Sequence, residues 1–264
     1  MQLEDLGQIH DGYEQIYLSP HLDDAALSCG GAIARHASAG ARVLVVTLCT
    51  SAPPPDASLS RFAQDHHLMW GLAAERAMAE RQREDDLALD RLGADTYRAG
   101  LLDAIYRVPE AYIDNNRLFG TPVADDPLSS EARQLAAALQ RRAPRATFYA
   151  PLGVGNHVDH QIVYAAAREM ARAAVAFYED FPYVLRPEAL ERRLRALGQR
   201  FVANTLDIDA TLTRKIGAIS AYASQLGSLF EDPAAMAQII SQYAEGLHPQ
   251  TGTYGERVWL PDAR

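Results

Sequence analysis

Two adjacent carboxylates beside a histidine, in Ser19-Pro20-His21-Leu22-Asp23-Asp24, are the residues of this chain best equipped for chemistry. His21 and Asp24 are three apart, a spacing at which both side chains can reach one metal ion. Asp23 cannot point the same way as Asp24 and is left for another task. A second polar cluster, Asn156-His157-Val158-Asp159-His160, lies far downstream. Brought together, the clusters offer His, Asp and His, a facial set suited to Zn²⁺ or Fe²⁺ with one position open to water. A plainer role competes: Asp23 or Asp24 could simply cap the helix that follows. Capping accounts for one Asp, but for neither the His nor the second cluster.

Such clusters need strand-to-helix junctions to hold them. Ile16-Tyr17-Leu18 reads as a strand, and residues 25–38 read as a helix ended by Gly40 in a C-cap position. Residues 42–48 form a continuous apolar run suited to a central parallel strand. Strand-like Thr147-Phe148-Tyr149-Ala150 precedes the second cluster, and residues 162–174 read as its helix. Both clusters thus stand at carboxyl ends of strands, where open α/β sheets bind ligands.

The remaining pattern gives helices over 73–92 and 129–142, strands over 95–100 and 175–178, and an exposed basic helix over 187–198. An edge strand is expected over 200–207, helix over 208–245 with a break near Gly227, and a tail, 248–260, folded over the body. Residues 1–14 read as a lead-in. The Pro53-Pro54-Pro55 segment, 50–72, and the irregular insertion 103–128 are expected to be lid loops over the site. The fold class is α/β: a Rossmann-like, mostly parallel sheet with helices on both faces, in a single domain over 1–264. Gly30-Gly31 lack dinucleotide-fingerprint spacing, which disfavours a dehydrogenase; they suit close helix–sheet packing.

With 264 residues, 48% of them hydrophobic, the chain can bury one large core. A net charge of −9 argues against nucleic-acid partners and against docking on acidic membranes. Two cysteines, Cys29 and Cys49, are too few for a disulfide scaffold and suit apolar packing. No apolar run reaches membrane-spanning length. The first residues lack a signal-peptide pattern, so the expected location is cytoplasmic.

Pro20-His21-Leu22-Asp23-Asp24 followed by His157-x-x-His160 resembles the PIG-L (LmbE-like) metal-dependent N-deacetylases. The resemblance runs from about Ile16 to Gly255-Glu256-Arg257-Val258-Trp259. It implies His21, Asp24 and His160 as metal ligands, with Zn²⁺ as the metal and Fe²⁺ as the alternative. Asp23 is then the general base and His157 a donor to the oxyanion, with Asp159 orienting His157 or His160 or simply facing solvent. Arg81, in Arg81-Gln82-Arg83-Glu84, matches the family's R-x-x-E element and implies a substrate contact, against a surface pair with Glu84. Asp180, just past a strand end, could bind a sugar hydroxyl or form a turn. His66 and His67 are left outside the site. Leu22 stands where Pro is usual and Ala25 where Glu is common, which bears on the substrate subgroup. The implied reaction removes an N-acetyl or other N-acyl group from a small amino-sugar substrate or its conjugate. Homo-oligomers are common in the family. An amidase acting on a larger conjugate and a metal-free carbohydrate-binding homologue are the competing readings.

Overall fold

The computed structural model describes residues 1–71, 74–170, 174–248, 250 and 252–262. Eight strands form one sheet: β1 (Gln2–Leu3), β2 (Gln15–Ser19), β3 (Val43–Ser51), β4 (Asp95–Leu102), β5 (Thr147–Pro151), β6 (Ala174–Tyr178), β7 (Phe201–Asp207) and β8 (Gly255–Pro261). Their order is β1-β4-β3-β2-β5-β6-β8-β7. Pairings from β1 through β6 are parallel, and β8 runs antiparallel to both of its neighbours. The chain builds outward from β2 through β3 and β4, then returns to place β5 on the other flank of β2. Strand order therefore reverses between β2 and β5, and a crevice opens beyond their carboxyl ends.

Side-chain alternation along the strands assigns the two faces. Ile16, Leu18, Leu44, Val46, Phe148 and Ala150 face α6 (Pro127–Arg142) and α7 (Val158–Arg168). Their neighbours Tyr17, Val43, Val45 and Tyr149 face α1 (Asp24–Ser38), α3 (Ala74–Leu92) and α9 (Leu212–Ile219). Burial on both faces explains why β2 and β3 read as unbroken apolar runs. The expected single α/β sheet with helices on both faces is what forms.

Several local expectations change. Segment 50–72 contains the helix α2 (Arg61–Trp70), capped by Ser60, whose Oγ accepts from the Ala63 N–H at 3.1 Å, and closed by Gly71 in the left-handed region. Insertion 103–128 holds two short turns of helix, α4 (Ala104–Arg107) and α5 (Asn115–Leu118). Helix α7 starts at Val158, four residues earlier than its apolar periodicity suggested, because His157 caps it. Residues 208–245 divide into α9, α10 (Ala223–Leu229) and α11 (Met236–Leu247), and Gly227 lies inside α10. The basic helix is α8 (Ala189–Leu197), and the lead-in contributes β1 to the sheet edge. Gly30 and Gly31 admit neighbouring helical segments rather than the sheet: a Cβ on Gly31 would lie 2.7 Å from Ile208 Cδ1, and one on Gly30 3.0 Å from Lys215 Cγ.

The tail does more than cover the body. It inserts β8 between β6 and β7, fixed by Glu179, which accepts from Arg257 Nε at 2.5 Å, Trp259 Nε1 at 2.8 Å and the Tyr243 hydroxyl. Beside it, Glu256 of β8 accepts from Lys215 Nζ at 2.7 Å and from the N–H groups of Gly31 and Ala32 at 2.9 and 2.7 Å. Lys215, the chain's one lysine, is 3% exposed. Removing a buried charge partner costs about 3–5 kcal/mol because the other charge stays buried. Glu256→Ala is therefore expected to lower unfolding stability by about that amount in urea titration, and Glu256→Gln by less.

Candidate active site

The loop after β2 is held by Ser19, whose buried Oγ donates to the His21 carbonyl at 2.7 Å and accepts from the Ala25 N–H at 3.1 Å. Asp24, the first residue of α1, accepts from the His21 N–H at 2.8 Å through Oδ2. Asp23 has φ 146°, a region that residues other than glycine rarely occupy and that costs about 1–3 kcal/mol. It makes no capping hydrogen bond to α1; its Oδ2 lies 3.7 Å from an Arg81 guanidinium nitrogen. The strained backbone thus accompanies two adjacent carboxylates with different surroundings.

The loop after β5 presents the second cluster beside the first. Asp180, past β6, accepts from the Gly153 and Val154 N–H groups through Oδ2 at 2.8 and 2.7 Å. Its Oδ1 lies 2.7 Å from His160 Nδ1. The other ring nitrogen, His160 Nε2, is buried, lacks a hydrogen-bond partner among the described residues and stands 3.4 Å from Asp24 Oδ2. His21 Nδ1 approaches the same Asp24 oxygen at 3.2 Å. His157 Nδ1 accepts from the Asp159 N–H at 3.2 Å, which leaves Nε2 to carry the proton of the neutral ring. His21, His157 and His160 each offer a ligand nitrogen, all within 4.8 Å of one another.

Charge follows this geometry. Burial and the neighbouring Asp24 push the Asp23 carboxyl up to about 7. Asp24 itself is held below its ordinary range: burial opposes this, but His160 and His21 outweigh it. His160 is raised against its burial by Asp24 and Asp180. His157 is driven well below its usual value by burial and by His21, so it is a neutral imidazole. A carboxylate shared by two imidazoles, one with an orphaned buried nitrogen, is a donor set that fits a divalent cation.

The structure brings all eight expected residues together: His21, Asp23, Asp24, His157 and Arg81 line the cleft, His160 stands behind Asp24, and Asp159 and Asp180 touch the His21 and His160 rings. Arg81 is buried, lines the cleft and stacks over Trp70 with its guanidinium carbon 5.1 Å from the ring centroid. It does not pair with Glu84, which instead accepts from the N–H and hydroxyl of Ser224. Asp180 is corrected: both of its oxygens are occupied by His160 and the loop backbone, and it is 1% exposed, so it cannot greet a sugar hydroxyl. Asp159 is corrected too. It is fully buried, and its carboxylate turns to His21 Nε2, at 3.0 Å, rather than to either ring of its own cluster. Of the histidines left aside, His66 lines the cleft and His67 Nε2 meets the Tyr106 hydroxyl at 2.9 Å.

Sequence reasoning missed a chain of buried charges behind His21. Arg107 holds Asp126 in a fork at 2.6 and 2.9 Å and reaches Asp159 with the same NH2 group. Asp103 Oδ2 stands 3.5 Å from His21 Nε2 and lines the cleft. The only sequence hint was that charged residues recur in an otherwise irregular insertion. Arg107 also pins that insertion beneath the site, so its base is anchored rather than loose.

Fold and site together define a Rossmann-like α/β protein organised around a histidine–carboxylate cluster suited to a metal ion. The chain belongs to the PIG-L family, whose sequence model, described as GlcNAc-PI de-N-acetylase, matches residues 16–171. It is 32% identical over 217 residues to the 2'-N-acetylparomamine deacetylase of Streptomyces fradiae, covering 80% of this chain and 72% of that protein. It resembles the crystal structure of a zinc-inhibited teicoplanin deacetylase at TM-score 0.77 and 26% identity, covering 95% of this chain and 99% of that one. The A40926 pseudoaglycone deacetylase gives TM-score 0.74 and 27% identity, covering 95% and 97%.

Asp180 makes one role testable against the other. If it fixes the His160 ring, Asp180→Ala weakens metal binding about 10–100-fold in chelator competition. A raised KM at normal metal affinity would instead mark a substrate contact.

Proposed function

We propose that this protein hydrolyses an N-acetyl, or other N-acyl, group from an amino sugar or its conjugate, with Zn²⁺ as its metal and Fe²⁺ as the alternative. The observation that carries the proposal is Asp24 Oδ2 standing between His21 Nδ1 and the orphaned His160 Nε2, at 3.2 and 3.4 Å. Relatives that are deacetylases of 2'-N-acetylparomamine and of teicoplanin support the same reaction class. His21, Asp24 and His160 are the ligands in this reading. A divalent ion there would polarise the amide carbonyl and acidify water.

The chain's own groups account for the protons. Asp23, raised to about 7, takes a proton from water as the oxygen attacks the amide carbon. Neutral His157 donates from Nε2–H to the tetrahedral oxyanion, since its Nδ1 is committed to the Asp159 N–H. Asp23 then returns its proton to the amine as the C–N bond breaks, releasing acetate and a free amine. The low proton affinity of His157 makes Asp23 the better proton source for the leaving group. Arg81, with a buried Nε that has no hydrogen-bond partner among the described residues, is well placed to grip a substrate hydroxyl or carboxylate.

Elemental analysis paired with acetate release tests the proposal: about one equivalent of Zn or Fe, with acetate freed from N-acetylglucosamine conjugates, is expected, and apoprotein even after reconstitution would defeat it. Asp23→Asn should keep the metal and lower kcat by about 10²–10⁴-fold. His160→Ala should lose most of the metal. His157→Ala should retain it and lower kcat about 10²–10³-fold, the cost of one oxyanion donor; metal loss would make His157 a ligand instead.

A further inference from the structure

The sheet ends differently on its two sides. On one side the edge strand is β1, only two residues long and so a poor template for further pairing. On the other it is β7, the seven residues Phe201-Val202-Ala203-Asn204-Thr205-Leu206-Asp207, paired with β8 alone. A free row of N–H and C=O groups invites another strand, and edge strands are ordinarily guarded by charge, proline or a bulge. Residues 201–206 contain no charge and no proline, and their register with β8 is unbroken.

Hydrogen bonds at the two ends of β7 show which residues face outward. The Arg200 carbonyl accepts from the Asp262 N–H at 3.0 Å, and the Ile208 N–H donates to the Tyr254 carbonyl at 2.9 Å. The even-numbered residues therefore bond to β8, and antiparallel alternation turns the N–H and C=O groups of Phe201, Ala203 and Thr205 away from it. The Asp207 carbonyl obeys the same rule, accepting from Arg35 Nη1 at 2.7 Å. Among the described residues no hydrogen bond reaches the outward groups of Phe201, Ala203 or Thr205. Apolar surface lies beside them: Val202 is 53% exposed, and Leu260, opposite it on β8, 38%.

We propose that β7 is the surface at which two copies of this chain pair antiparallel, edge to edge, into one continuous sheet. The strand's own complementarity selects a second copy as the occupant. A twofold axis at Asn204 sets Val202 opposite the partner's Leu206 and Ala203 opposite the partner's Thr205, with the two Asn204 amides side by side. Ala203 and Thr205 then exchange N–H···O=C bonds with their opposites, using the outward groups left over in a single copy. Apolar meets apolar on one face, and no like charges oppose each other within 201–206. A net charge of −9 repels copies in general, so an uncharged strand is where they can approach. An isologous contact of this kind closes at two copies.

Sedimentation velocity of the full chain across a micromolar concentration series tests this. A reversible dimer is expected, weak because one short strand per copy makes a small interface. Ala203→Pro removes an outward N–H without touching a β8 bond, and Val202→Lys places a charge on the edge. Each should weaken dimerisation about tenfold or more while thermal unfolding stays unchanged. Asn204→Cys reads the register: the two Cα atoms across the axis would stand about 4.5 Å apart, within disulfide reach, so mild oxidation should cross-link the copies. Val202→Cys should not cross-link, since each Val202 faces the partner's Leu206. The native Cys29 and Cys49 are buried and do not compete. A monomer at every concentration overturns the proposal, and so does a dimer that Ala203→Pro and Val202→Lys leave intact. Equal cross-linking at both cysteine positions overturns the register centred on Asn204.

Discussion

One carboxylate oxygen, Asp24 Oδ2, sits where both halves of the sheet meet. From the β2 side it receives the backbone N–H and ring of His21; from the β5 side it faces the free nitrogen of His160. A buried anion in that position is costly unless compensated. Two imidazoles supply the compensation in this structure, and a divalent ion would supply more. Much of the surrounding architecture serves to keep those three side chains aimed at one point.

The aim is maintained by carboxylates that never face the cleft. Asp180 fixes His160 by ring hydrogen bond and is itself fixed by two backbone N–H groups of the β5 loop. Asp159 does the same for His21 and is held in turn by Arg107. Each imidazole therefore has one nitrogen committed to a buried acid and the other presented toward Asp24. Rings locked in this way bind a cation without first paying an ordering cost. Asp23 differs from all of these: among the described residues no hydrogen bond holds its carboxyl, its backbone is strained, and its proton affinity lies near neutrality.

Around this rigid centre the walls are built from the chain's less regular parts. Helix α2, the 103–128 insertion and the α10–α11 region supply most of the cleft lining beyond the polar end. This division lets one framework serve different substrates, since the framework comes from strand ends and the walls from segments that can vary in length.

The sequence by itself determined the two junctions and their residue types. Apolar runs of strand length, each followed by a polar cluster and a helical pattern, are local signals, and they put His21, Asp23, Asp24, His157 and His160 at two strand ends, which the β2–β5 pairing sets side by side. Short range also explains the successes elsewhere: β3, α1 and α3 are each legible from their own periodicity. What only the tertiary structure decided is which group serves which. Asp159 meets a histidine 138 residues away rather than its neighbours, and Asp180 meets His160 instead of substrate. Strand β8 enters the sheet through Glu179 contacts spanning about 80 residues of chain. No local pattern encodes such pairings, because hydrogen bonds between distant segments depend on how the whole sheet is ordered. A buried carboxylate and an exposed one look alike in sequence; packing alone tells them apart.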